Sequence, residues 1–245
     1  MFVDLQQDWA AGVAAGLAND GIARFDQITS RAQLVTLGAS LGQVVPHRDS
    51  DGDGITTLEN RGGVGRRLGF EGFGSGALQP HTDRSGVTDP PALLLVVCGR
   101  RGDSGGDCIA IDGSSVYADL AVNEPRAVEA FSQPRTALFG GAAGYLGSVF
   151  ELAPGGRIRV RYRRDDLVKF SPDVTRWLPT LNEAIDRHAL RFPLDPAQGY
   201  VLHNHRWLHG RTAFTGVMHR LSLNPHPEFA IPSGFVPADT VVVGR

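Results

Sequence analysis

Residues 78–98 read LQPHTDRSGVTDPPALLLVVC. Two signals in this stretch decide the fold. Ala92 to Cys98 is an unbroken run of seven apolar residues, the pattern of a strand covered on both faces. Pro90 and Pro91 set a rigid turn before it, and His81-Thr82-Asp83 stands ahead of the turn. That layout holds polar, metal-competent side chains at the mouth of a barrel, with a buried strand behind them.

Outward from this stretch the chain reads as many short strands with a few helices. Apolar residues at helical spacing (Leu5, Trp9, Val13, Leu17) predict a helix over 4–18, and Ile22 to Ile28 a short strand. A second helix is expected from Ser30, with Leu34, Leu37 and Leu41 on one face, ending at Gly42. Strands are predicted at 92–98, 107–113, 157–163, 199–207 and 219–226, with helices at 114–131 and 171–190. In the last of these, Trp177, Leu181 and Ile185 share a face. The expectation is one domain over 1–245, mainly β with peripheral helices. Its architecture is a double-stranded β-helix, a cupin-like jelly roll, with helical decoration over about residues 1–45.

Bulk properties narrow the function. A chain of 245 residues with 42% hydrophobic content can bury one good core. Its 24 basic and 26 acidic residues leave a net charge of −2, which predicts no nucleic-acid partner. Nearly all the basic residues are arginine, Lys169 being the sole lysine. Two cysteines, Cys98 and Cys108, make no disulfide framework, so a reduced cytoplasmic setting is expected. The N-terminus carries acids where a signal peptide carries positive charge, and no apolar run approaches the roughly 20 residues a membrane helix needs. The sequence gives no oligomeric state.

Three H-x-D/E tripeptides occur: His47–Asp49, His81–Asp83 and His226–Glu228. With 8 histidines and 26 acids, about one is expected by chance, so context must choose. The Pro-Pro turn and apolar strand favour His81 and Asp83. Two histidines and one carboxylate suit Fe(II), leaving open positions for a co-substrate and oxygen. A later histidine must complete the set, and HNHRWLHGRTAF (203–214) supplies candidates. If this stretch is one strand, His203, His205, Trp207 and His209 share a face. Arg220 follows His209 by eleven residues, enough for a turn and a return strand that brings a guanidinium beside the metal. An arginine there can grip the far carboxylate of a dicarboxylic acid.

At this point the chain resembles the TauD/TfdA family of Fe(II)- and 2-oxoglutarate-dependent oxygenases. The resemblance runs from about Gly21 to His226. It rests on HTD (81–83), GGD (105–107), HGR (209–211) with Phe214, and Arg220, in that order and spacing. It implies that His81, Asp83 and His209 ligate the iron, and that Arg220 binds the distal carboxylate of 2-oxoglutarate. The expected activity is hydroxylation of a small molecule, such as a free amino acid or natural-product intermediate, using O2 and releasing succinate. The same oxidant can also desaturate or cyclise. A jelly-roll sensor that binds metal without turnover is the reading from another class. Two departures matter. The family often places a threonine against the co-substrate directly after GGD, where this chain has Cys108. Taurine enzymes carry a second arginine four residues past the first, and here Asn224 stands there, which argues against taurine. The carboxylate of Asp83 fills the position that halogenases leave open for chloride.

Other motifs carry less. DSDGDG (49–54) supplies acids at three calcium-loop positions, but the twelfth is Asn60, so a polar turn is expected. His47-Arg48-Asp49 matches a kinase triplet without a phosphate loop. The glycine-rich stretches 61–80 and 140–156 are candidate lids, and GFEGFGSGAL (69–78) a loop on the site's rim. RIRVRYRRDD (157–166) alternates arginine with apolar residues and predicts a solvated strand face. Its functional alternative has Arg161 or Arg163 meeting a substrate carboxylate. His203 and His205 would line the pocket if they face inward.

Overall fold

The apolar run becomes the Leu93–Arg100 strand, central in a seven-stranded sheet. The computed structural model describes residues 2–3, 9–229 and 231–237. Successive side chains of this strand enter two different cores. Leu93, Leu95 and Val97 pack with Val13, Leu17, Leu34, Leu37 and Leu41 of the two N-terminal helices. Leu94 and Val96 pack with Cys108, Ala110 and Trp207 of a second sheet. Both faces leave water, which is why the sequence shows no alternation there.

The large sheet runs Phe2–Val3, Ile22–Phe25, Gly199–His203, Leu93–Arg100, Val217–Pro225, Gly42–Val44, and Thr56–Leu58 also pairs with Val217–Pro225. Every pairing is antiparallel except that of Phe2–Val3 with Ile22–Phe25. The facing four-stranded antiparallel sheet runs Ala189–Phe192, Cys108–Asp112, Trp207–Arg211, Leu78–His81. Its outer side chains, Ile111 and Leu208, pack on helices Gly113–Asn123, Pro125–Ser132 and Leu178–Arg187. The layers are therefore helix, sheet, sheet, helix. A three-stranded sheet (Val168–Phe170, Ala137–Phe139, Tyr145–Gly147) and a hairpin (Phe150–Ala153, Arg157–Val160) complete it.

Several boundaries differ from the sequence reading. The first helix is described from Trp9 to Asn19, and Leu5 lies outside the described residues. The next spans Arg31–Leu41, where Ser30 and Gln33 form a reciprocal capping box. The helix expected over 114–131 breaks between Asn123 and Pro125, because proline lacks the N–H that would continue it. That over 171–190 splits into Pro172–Thr175 and Leu178–Arg187, with Pro179 near the second start.

The largest correction concerns 199–207. It is not one strand but a corner: Gly199–His203 belongs to the large sheet, and Trp207 opens a strand of the small one. No glycine or proline marks this corner. It is held by Asn204, fully buried, whose Oδ1 accepts from Asp83 N at 2.7 Å. Its Nδ2 donates to the carbonyls of Asp83 (3.0 Å) and Pro91 (2.9 Å). Asn204→Ala strands these buried groups and is expected to cost about 2–3 kcal/mol. Urea unfolding would read this as a lower midpoint at unchanged slope; an unmoved midpoint would contradict it.

Candidate metal centre

The site lies between the sheets. His81 ends the Leu78–His81 strand directly opposite His209, and their ring centroids are 4.3 Å apart. Gly210 makes this pairing possible, since a Cβ there would lie 2.6 Å from Leu78 O. Trp207, His209 and Arg211 face the large sheet, while Leu208 faces the helices. Asp83 follows in a turn pinned on two sides. Thr82 N donates to Tyr162 O at 2.8 Å, and Tyr162 N to Thr82 Oγ1 at 3.2 Å; Asn204 holds the other side. From the large sheet, Arg220 Nη1 donates to Asp83 Oδ1 at 2.9 Å, and Ser222 Oγ to Oδ2 at 3.1 Å.

One potential ligand atom from each of His81, Asp83 and His209 lies within 4.8 Å of the others. Their protonation suits a cation. Burial pushes both histidines below their usual range, His209 far below, so both are neutral at pH 7. His81 Nδ1 sits 2.8 Å from the carbonyl of Gln79, which can only accept, so Nε2 keeps its lone pair. His209 Nδ1 is buried without a partner. Burial is the largest single influence on Asp83 and raises its pKa, but the Arg220 guanidinium and, behind it, His209, His81 and His47 together outweigh burial and hold the carboxyl at about 2. Two neutral imidazoles and an ionised carboxylate are the donor set of a 2-His-1-carboxylate Fe(II) centre. Arg220 Nε is also buried and unpartnered, leaving a donor for a second anion.

A cavity of about 500 Å³ opens over these residues. Cys108, Arg163 and Arg220 line it, as do residues of both glycine-rich stretches (Gly69 to Phe73, Gly140, Gly144). Burial raises the Cys108 thiol to about 12, so it faces the cavity neutral. Arg163 is paired with Asp165 through two nitrogens.

The structure moves the other predicted residues away from the cavity. Arg161 is 4% exposed, which corrects the expected solvated face. Its Nη1 donates to Ser85 O and Val87 O, both at 2.6 Å, and its Nη2 to Thr88 O at 3.1 Å. With Nε 3.3 Å from Glu151, it clamps the loop behind Asp83 and has little left for a substrate. His203 and His205 lie around the corner, outside the cavity wall. His205 contacts Ser233 Oγ (2.6 Å) and Pro90 O (3.1 Å). Burial lowers His203 to about 3 and His205 to about 4. The acidic turn is occupied by Arg31, 2.8 Å from Asp51 and 2.7 Å from Asp53.

Four residues escaped the sequence reading. Asn204 and Ser222 fix Asp83, and His47 borders the cavity. Arg211 is buried and donates to Gly76 O (2.6 Å) and Gly74 O (2.8 Å), tying the glycine-rich stretch to the site. Arg211 stands in the HGR motif and His47 in an H-x-D tripeptide that its context did not favour; nothing in the sequence marked Asn204 or Ser222.

Comparison with known proteins agrees with this geometry. The taurine catabolism dioxygenase TauD, TfdA family matches residues 2–223. The chain belongs to the TauD/TfdA family. Solved structures share the fold at low identity. Asparagine oxygenase, in complex with Fe(II), 2S,3S-3-hydroxyasparagine and succinate, has a TM-score of 0.68 at 16% identity, over 88% of this chain and 77% of that one. The non-haem iron oxygenase OrfP, with Fe and alpha-ketoglutaric acid, scores 0.66 at 17%, over 88% and 81%. A taurine dioxygenase from Burkholderia xenovorans scores 0.68 at 17%, over 91% and 83%. Among the described residues, no helix is long and apolar enough to cross a membrane.

The pKa of Asp83 contributes to the acid behaviour of this TauD/TfdA chain. Its folded value of about 2 lies below the 3.8 of a free aspartate. The ionised form therefore stabilises the metal-free fold above about pH 4, and this is lost as the pH falls towards 2. The contribution is about 2 kcal/mol. In urea titrations the stability gap between wild type and Asp83→Asn should shrink between pH 4 and 2. A constant gap would contradict the Arg220–Asp83 coupling.

Proposed function

We propose that this protein is an Fe(II)- and 2-oxoglutarate-dependent oxygenase that hydroxylates a small molecule. The observation carrying the reading is the His81–Asp83–His209 cluster with Arg220 beside it, at the floor of a cavity large enough for co-substrate and substrate. The two facing sheets are read as a double-stranded β-helix, and residues 1–245 as one domain around it. Free, buried Cys98 and Cys108 suit a reducing, cytoplasmic setting.

His81, Asp83 and His209 would hold the iron. Bound iron, 2-oxoglutarate and O2 together supply oxidation of a substrate C–H bond, with succinate and carbon dioxide released. The chain's own residues bind, orient and exclude water. Arg220 offers its unpaired Nε to the distal carboxylate of 2-oxoglutarate, and its one hydrogen bond to Asp83 keeps the fork oriented. Cys108, a neutral thiol where relatives often place threonine, adds a weak contact at most, so Arg220 dominates co-substrate affinity. Asn204, Thr82 and Ser222 keep the Asp83 carboxylate aimed between the two imidazoles. The apolar wall excludes water from the oxidised carbon. The asparagine oxygenase structure named above carries a hydroxylated amino acid, and this chain's substrate is read as a small molecule of that size.

With Fe(II), ascorbate, O2 and 2-oxoglutarate, the protein should form succinate, and His81→Ala should form none. Arg220→Ala should raise the KM for 2-oxoglutarate about tenfold or more. Metal binding without succinate would instead favour the non-catalytic sensor, and product mass separates hydroxylation from desaturation.

A further inference from the structure

Five arginines in the cavity wall are already committed. Arg48 pairs with Asp49, Arg163 with Asp165, Arg164 with Asp186 and Arg220 with Asp83. Arg211 spends its guanidinium on backbone carbonyls of the glycine-rich stretch. Arg84 is different. It lines the same cavity and is half-buried, and among the described residues no carboxylate lies within ion-pair distance of it. Among the described residues its only hydrogen bond is a long one, Nη1 to Pro46 O at 3.3 Å.

The backbone of Arg84 is also unusual. Its φ is +53°, in the left-handed region that long side chains seldom occupy. Of the four non-glycine residues with positive φ among the described residues (Gln27, Arg84, Arg135, Ala197), it alone lines the cavity. The conformation is imposed from both sides. Asp83 is fixed by Asn204, and Val87 N donates to Arg84 O at 3.1 Å. A glycine would meet this demand without strain, yet an arginine stands there, one residue past a metal-competent carboxylate. The same cavity is also lined by apolar side chains, among them Leu58, Leu68, Phe70, Phe73 and Leu167.

We propose that Arg84 is the anion-binding residue of the substrate subsite, and that the substrate is a small molecule with an apolar body and a terminal carboxylate. The inference rests on the oxygenase reading and adds the substrate's chemical class and the residue that selects it. Asp83 is paired with Arg220 and Arg211 is spent on carbonyls, so among the described residues Arg84 is the lining arginine left with neither a carboxylate nor a full set of carbonyl partners. A carboxylate can take its free donors in paired, charge-assisted hydrogen bonds, and a neutral isostere cannot.

The test uses the full chain, loaded anaerobically with Fe(II) and saturating 2-oxoglutarate so that Arg220 is occupied. Calorimetric titration compares 4-phenylbutanoate, hexanoate and N-acetylphenylalanine, each against its primary amide. At least one acid should bind about tenfold or more tightly than its amide. Arg84→Gln should abolish that preference, and Arg84→Lys, which keeps the charge, should restore part of it. The Fe(II)·2-oxoglutarate absorption band checks that each variant is folded and loaded. Acids binding no better than amides in wild type, or a preference that survives in Arg84→Gln, overturns the assignment. Failure of wild type to form the band overturns the oxygenase reading beneath it.

Discussion

Asp83 is an ionised carboxylate placed out of reach of water, and such a group survives only beside a fixed cation. Arg220 is that cation, and its position explains much of the molecule. Arg220 comes from the large sheet, while Asp83 follows the last strand residue of the small one, so their 2.9 Å contact ties the sheets together where the cavity opens. The same pair sets the polarity of the site: a negative oxygen between two neutral imidazoles, with a guanidinium behind it. Under the proposed function, a divalent cation would complete the charge balance at the carboxylate and an anion would complete it at the arginine, so both proposed positions follow from one ion pair.

Around that pair the chain invests mainly in direction. Asn204 reaches from the corner between the sheets to fix the backbone of Asp83. Thr82 fixes the other side through Tyr162, and Arg161 clamps the loop that follows. Arg211 draws the glycine-rich stretch over the cavity by its carbonyls. None of these side chains need touch a substrate. Each replaces a water-exposed, mobile segment with one held by buried polar contacts, and aiming ligands at an ion requires that.

The site was more legible in the sequence than its supports. His81, Asp83, His209 and Arg220, which the structure brings together, were picked out by the order and spacing of HTD, HGR and the arginine eleven residues on. The central strand was legible because covering both faces leaves a continuous apolar run. The corner at 203–207 was not, since an asparagine side chain does there what glycine or proline would have announced. That one error put His203 and His205 on the same face as His209. Arg161 was misplaced for a related reason: its strand ends at Val160, so the alternation stops one residue too early to keep it in water. Contacts such as those of Ser222 and Asn204 to Asp83 join segments far apart in sequence, and no local pattern records them.

The most direct test of the account is an anaerobic titration of the metal-free protein with Fe(II) and 2-oxoglutarate, following the weak visible charge-transfer band of the chelate. The account predicts that the band saturates near one iron per chain, is absent in His81→Ala, and needs about tenfold or more 2-oxoglutarate in Arg220→Ala. A wild-type protein that forms no band at any concentration, or a His81→Ala protein that forms it undiminished, would contradict it.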